Sequence, residues 1–260
     1  MAVTGAQTGP VQGQVIGDDN VVTLNFHAAA GVLVTPTPPA AEPPAPHPLP
    51  RPAQVLPPPF ANLVDRAGEL DRAFAALAQG VPVEVCGPPG IGKSAIVRAL
   101  AHHPRTTRPP DGVVFHSAQG ESAPDLVQRL FLAFFKVSSG TTVTEAVARR
   151  HLGTVRALVL LDGADLARED LEQLRNAAPG CTLVTATRET TLFGDGRRLQ
   201  LGGLGPGDAV TLLEDWTGRT FDAADRDAVH ELVAAVDGNP LRLKQAVAAA
   251  AGPDEPMAAV

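Results

Sequence analysis

Gly87-Pro88-Pro89-Gly90-Ile91-Gly92-Lys93-Ser94 is the stretch from which the rest of the chain can be read. It completes the pattern G-x-x-x-x-G-K-[ST], and its flanks agree with it. Before it, Val81-Pro82-Val83-Glu84-Val85-Cys86 reads as a strand; after it, Lys93 to His102 reads as a helix. The glycines let backbone N–H groups wrap a phosphate without Cβ clashes, and the helix N-terminus adds partial positive charge there. Gly87, Gly90, Gly92 and Ala95 would form this cradle. Lys93 would bridge the β- and γ-phosphates of a nucleotide, and the Ser94 hydroxyl would ligate Mg²⁺.

Such a turn needs a carboxylate for the metal at the end of a buried strand. Ala157-Leu158-Val159-Leu160-Leu161-Asp162 supplies five apolar residues and then the acid. Asp165, three positions on, is placed either to orient or deprotonate an attacking water or to cap the following helix. A further apolar strand, Cys181-Thr182-Leu183-Val184-Thr185-Ala186, runs into Thr187-Arg188. In open α/β sheets ligands bind at the C-terminal strand edge. Arg188 would therefore face the γ-phosphate, unless it is a solvated loop arginine.

Strand and helix signals alternate from about Ala61, which predicts an α/β body with a parallel sheet. Strands are expected near 81–86, 113–116, 157–161, 182–186 and 198–201, with helices near 68–78, 93–102, 123–135, 143–151 and 168–176. After Leu204 only helical signals remain, at 206–216, 223–236 and 240–251, which predicts a small helical subdomain. Leu130, Phe131, Phe134 and Phe135 read as core, Trp216 as an anchor of the helical subdomain, and His102-His103 as a helix end.

The chain ahead of Ala61 differs in kind. From Pro36 to Pro59, twelve of twenty-four residues are proline, excluding helix and sheet interior and predicting an extended tether. Before it, residues 11–26 place β-formers on both sides of Gly17-Asp18-Asp19-Asn20, a turn signal. An isolated hairpin is marginal in water but gains stability by stacking on copies of itself. The alternative is a disordered tail. The expected organisation is 1–35 as a β-prone segment, 36–60 as linker, 61–204 as nucleotide-binding domain, 205–252 as helical subdomain and 253–260 as tail.

Composition narrows the partners. The 260 residues carry 28 acidic and 21 basic side chains, a net charge of −7, the opposite of what a general nucleic-acid binder shows. Two cysteines exclude a disulfide scaffold. No apolar run approaches the ~20 residues that cross a bilayer, and Met1-Ala2-Val3-Thr4 lacks the basic and apolar regions of a secretory signal. A cytoplasmic protein without membrane or nucleic-acid partner is expected.

Together, Leu63-Val64-Asp65-Arg66, the glycine-rich turn, Asp162-Gly163-Ala164-Asp165, Leu183 to Arg188 and Gly238-Asn239-Pro240-Leu241 resemble, in order, the motifs of STAND ATPases. The NB-ARC branch is most similar, although Gly163 gives the acidic segment a NACHT-like form and Asp65 stands where that family usually has glycine. The resemblance spans about residues 62–251. It implies a P-loop NTPase sheet of order 5-1-4-3-2 flanked by helices, with ATP or ADP and Mg²⁺ as ligands. It places Pro240 against the adenine, with Val64 to Arg66 lining the same base. It further implies a switch that oligomerises on ATP exchange and hydrolyses slowly. Residues 11–26 resemble the amyloid-like, RHIM-related motifs found ahead of bacterial signalling ATPases, which implies an effector protein with a matching motif. Two apolar residues, Val15-Ile16, stand where those cores usually have one. The family's winged-helix subdomain and repeat sensor are not within these residues, so a piece of a longer protein is expected. An AAA+-type ATPase and the ATPase module of an AfsR- or LuxR-type transcription regulator are the alternatives. With order 5-1-4-3-2, Cys86 and Cys181 fall at opposite strand ends, roughly 15 Å apart, which forbids a disulfide.

Overall fold

The computed structural model describes residues 11–17, 20–26, 45–60, 63–106, 108–137, 143–192 and 194–251. The chain divides into two compact units, Met1–Pro44 and Ala45–Val260. In the first, β1 (Val11–Gly17) and β2 (Asn20–Phe26) pair antiparallel from Val11↔Phe26 to Gly17↔Asn20. That register sets Gly17 opposite Asn20, the two outer residues of the sequence's turn signal; Asp18 and Asp19 lie outside the described residues.

The second unit is built on a six-stranded parallel sheet. Its strands are β4 (Ala53–Val55), β5 (Val83–Cys86), β6 (Gly112–Ser117), β8 (Leu158–Asp162), β9 (Thr182–Thr187) and β10 (Arg197–Gln200). Their order across the sheet is β10-β5-β9-β8-β6-β4. The first five reproduce 5-1-4-3-2, with β5 leading into the glycine-rich turn. The helices of the body are α1 (Ala67–Ala78), α2 (Lys93–His102), α3 (Ala123–Phe134), α4 (Glu145–Leu152) and α5 (Arg168–Ala177). The sheet, its order and the strand–turn–helix at β5–α2 make this a P-loop NTPase fold.

The apolar strands are buried on both faces, as a sandwiched parallel sheet requires. Val159, Leu161 and Leu183 pack with α3, α4 and α5 on one side. Val83, Val85, Leu158, Leu160 and Val184 pack with α1 and α2 on the other. Phe131 and Phe134 are fully buried in the first of these layers. A third core belongs to α6 (Pro206–Thr217), α7 (Ala223–Ala235) and α8 (Pro240–Ala251), centred on Ala209, Leu213 and Leu243 with Trp216 packed against it. No described helix is long and apolar enough to cross a membrane. Cys86, at the end of β5, and Cys181, just before β9, are both free thiols. Burial pushes the Cys181 thiol up to about 11.

The proline-rich stretch departs from expectation in its second half. Ala53–Val55 is an edge strand beside β6, and β3 (His47–Pro48) pairs antiparallel with β7 (Phe135–Lys136). The second unit therefore starts at Ala45, not near Ala61. Proline is compatible with this because the strand is short, lies at the edge and begins after Pro52. A charged clamp holds it. Arg51 Nη1 donates to Asp111 Oδ1 at 2.8 Å, and its guanidinium lies 5.6 and 5.5 Å from the Phe134 and Phe135 ring centres. The Arg156 N–H donates to the other Asp111 oxygen at 2.6 Å. Desolvation pulls the Asp111 carboxyl up, but these two donors together hold it below its ordinary value. A depressed carboxylate contributes stability above its unfolded pKa and loses it as pH falls through the folded one. Asp111→Asn should therefore cost about 1 kcal/mol in urea unfolding at pH 7. The gap between the two proteins should close in acid below the depressed value, and a gap that persists there would refute the clamp.

Candidate functional site

The strand end Cys86 hands over to a turn whose glycines take φ of +152° at Gly87, +79° at Gly90 and +105° at Gly92. Gly92 is also the left-handed N-cap of α2. A Cβ at Gly92 would meet no protein atom within 4 Å, so it would project into open space at the helix N-terminus. Lys93 folds back over the turn, and its Nζ donates to the carbonyls of Gly87 at 2.8 Å and Pro88 at 3.0 Å. Burial lowers the Lys93 ammonium pKa below the usual lysine range; Arg188 adds to this, while Asp165 and Asp162 oppose it.

Ser94 Oγ donates to Asp162 Oδ1 at 2.8 Å, joining the helix start to the end of β8. The Asp162 carbonyl accepts from Ala118 N–H at 2.7 Å, which fixes the strand end. Asp165 does not cap α5, whose N-cap is Ala167. Instead its Oδ1 accepts from the Arg188 N–H at 2.8 Å, and its Oδ2 pairs with Arg188 Nε at 3.1 Å. Arg188 thus stands at the sheet edge with its charge directed to Asp165.

A cavity of about 310 Å³ adjoins the turn. Val64, Arg66, Gly90, Gly92, Lys93, Ser94, Ala95 and Pro240 all line it; Gly87 and Arg188 do not. Phe60, Leu63, Leu204, Leu212 and Leu241 make much of the wall apolar, and Lys244 adds a cation. Burial lowers the Lys244 pKa, and its Nζ lies 5.4 Å from the Trp216 ring centre. Arg66 is 5% exposed, and its guanidinium donates to Gly202 O at 2.8 Å and Ile91 O at 3.3 Å. It ties the glycine-rich turn to the loop after β10, a role its sequence context does not reveal.

Two further residues escape the sequence reading. Glu84, in the middle of β5, is fully buried and holds the loop after Arg188. Its Oε1 accepts from Thr191 N–H at 2.7 Å, Thr191 Oγ1 at 2.8 Å and Leu192 N–H at 3.1 Å. Gly238-Asn239-Pro240 reads locally as helix punctuation, Gly238 ending one helix and Pro240 standing in the first turn of the next, yet the Asn239 Nδ2 donates to Pro89 O at 2.9 Å. No local pattern announces either contact, since both partners are more than a hundred residues away.

The residues fit a nucleotide polyphosphate. An ammonium, a helix N-terminus and the open space over Gly92 meet on one side of a partly apolar cavity large enough for part of a base and sugar. Ser94 and Asp162 are the oxygen pair that would hold Mg²⁺.

No family model matches the chain. Over 170 residues, 62% of its length, it is 31% identical to the regulatory protein AfsR of Streptomyces griseus. Over 217 residues, 75% of its length, it is 29% identical to the regulatory protein AfsR of Streptomyces coelicolor. These stretches are 17% and 21% of those proteins, so the chain spans about a fifth of the curated relatives it matches. Among solved structures, it resembles a Signal Transduction ATPase with Numerous Domains (STAND) protein with a tetratricopeptide repeat sensor from Pyrococcus horikoshii. There the TM-score is 0.48 at 16% identity, covering 74% of this chain and 30% of that one. A Walker-type ATPase of Pyrococcus abyssi gives 0.46 at 16% identity, covering 73% and 67%.

Proposed function

We propose that the protein binds ADP and ATP with Mg²⁺ at the β5–α2 turn and acts as a nucleotide-controlled switch of the NB-ARC-like STAND kind. The observation that carries this reading is the shared cavity, to which the lead-in segment, the glycine-rich turn and the start of α8 all contribute walls. A ligand seated there touches the sheet domain and the three-helix unit together, so its identity is felt by both. ADP would hold them closed, and exchange for ATP would reset their contact and expose a surface for self-association. Copies of residues 11–26 would then reach high effective concentration, stack as cross-β layers and recruit an effector bearing a matching segment. Asp165 would orient the attacking water and Arg188 would meet the γ-phosphate. Their ion pair at 3.1 Å must open first, in keeping with slow hydrolysis.

The alternative is that these residues are the ATPase module of an AfsR-type regulator, favoured by the 31% identity over 62% of the chain. Both readings require nucleotide binding, and they part at self-association. Protein purified without added nucleotide should release ADP on acid denaturation, and titration with ATP and Mg²⁺ should shift it to larger assemblies. Bound nucleotide without any assembly would favour the regulator module. A site that retains nothing and takes up neither ADP nor ATP refutes both.

A further inference from the structure

The Gly238-Asn239-Pro240-Leu241 turn does more than start a helix. Asn239 is 6% exposed, and its two side-chain ends do different work. Oδ1 caps α8, accepting from the N–H groups of Leu241 at 3.1 Å and Arg242 at 3.2 Å. Nδ2 reaches across to the glycine-rich turn and donates to Pro89 O at 2.9 Å. One residue on, the Leu241 N–H also reaches Gly90 O at 3.3 Å. The approach is close enough that a Cβ at Gly90 would lie 2.6 Å from Leu241 Cβ and 2.9 Å from Asn239 Oδ1. The absence of a side chain at Gly90 is therefore as much a condition for α8 docking as for phosphate access.

These contacts set the direction of the turn's donors. In a trans peptide the C=O of one residue and the N–H of the next point to opposite sides of the chain. Holding Pro89 O towards α8 turns the Gly90 N–H away from it, so the peptide plane cannot flip without breaking the Asn239 bond. We propose that Asn239 is a positioning residue: it fixes the Pro89–Gly90 peptide and so couples the grip on a nucleoside diphosphate to the docking of the three-helix unit. The inference rests on the nucleotide-binding reading and adds its regulation. By linkage, whatever steadies the gripping turn steadies α8 on it, and the effect runs equally in reverse.

Asn239→Asp separates the two roles. The aspartate keeps an oxygen for the helix cap, an excellent residue there, but replaces the donor facing Pro89 O with a second acceptor. Affinity for ADP in titration calorimetry should fall about tenfold, the loss of one half-buried hydrogen bond with repulsion added. Without nucleotide, amide hydrogen exchange should quicken in peptides covering residues 90–94, and ADP should no longer slow exchange in α8. A residue that merely capped α8 would change neither the exchange at 90–94 nor its response to ADP. Asn239→Ser, which caps but is too short to reach Pro89, should behave alike and serves if the aspartate variant does not fold. ADP affinity within twofold of the parent with unchanged exchange at 90–94 overturns the proposal. If the parent protein takes up no nucleotide, the reading of the site fails. The coupling to a nucleotide then falls with it, and ligand-free exchange decides only whether Asn239 fixes the Pro89–Gly90 peptide: faster exchange at 90–94 in the variant supports this and unchanged exchange refutes it.

Discussion

Lys93→Ala should fold normally and lose about a hundredfold or more in affinity for ADP and ATP. The two effects separate because the Nζ donates to Gly87 O and Pro88 O, neither of them a buried contact. Truncation frees a half-buried contact at Gly87 O and an exposed one at Pro88 O, worth ~1 kcal/mol in stability. Binding loses more. A unit charge ~4 Å from a phosphate oxygen is worth about 4 kcal/mol at an effective dielectric of 20. Part of that offsets desolvation, which leaves roughly the 2.7 kcal/mol of a hundredfold change. Arginine should not restore binding, because its planar fork cannot occupy the point between two carbonyls and a phosphate that an ammonium fills. The parent's pH dependence has a fixed sign. Burial lowers the pKa of the Lys93 ammonium, so its charge is lost at lower pH than an exposed lysine's. Affinity should therefore decline on the alkaline side before ordinary lysines titrate, and Lys93→Ala should lack that decline. Calorimetric titration across pH checks both, and an alanine variant within threefold of the parent at neutral pH refutes the assignment.

What the sequence made legible is what depends on neighbours along the chain. The β5–α2 turn could be read because strand, glycines, lysine and helix lie within some twenty consecutive residues. Asp162 was legible as the acid that ends five apolar positions, and the structure bonds it to Ser94. The edge strand Ala53–Val55 was not, because its pairing depends on β6 and on the Arg51–Asp111 clamp, whose partners are 60 residues apart. Proline content spoke for an extended chain but not for what His47–Pro48 and Ala53–Val55 would lie against. Arg66 was assigned to the base by resemblance; it does line the cavity, but its donors go to Gly202 and Ile91. Asn239 hid inside a turn that Gly238 and Pro240 explain by themselves as helix punctuation, with no distant partner required. In each case the missing information was a donor–acceptor match between distant segments, which periodicity and spacing do not encode.

Glu84 is the strongest instance, and replacing it should produce the largest loss of stability. An acid in the centre of a buried parallel strand breaks the apolar pattern, and its carboxylate is fully removed from solvent. One oxygen serves three donors from Thr191 and Leu192. The other has no hydrogen-bond partner among the described residues, and neither does Oγ1 of Thr185, its register neighbour on β9. Glu84→Ala would strand two backbone N–H groups and a hydroxyl and leave a cavity, at ~1 kcal/mol for each donor and more for the void. A loss of about 3–5 kcal/mol in urea unfolding is expected. Glu84→Gln should differ in kind. Its carbonyl oxygen keeps all three donors, and its side chain fills the same space, so no cavity opens. That variant should lose far less stability than the alanine one. Because Thr191 and Leu192 follow Arg188 by three and four positions, freeing them also frees the loop that carries it. Glu84→Ala, studied below its lowered unfolding midpoint, should therefore keep ADP binding, which depends on the β5–α2 turn, while any ATP hydrolysis requiring Arg188 falls. If alanine were tolerated without loss of stability, or glutamine were as damaging as alanine, Glu84 would not be holding that loop through its three donors.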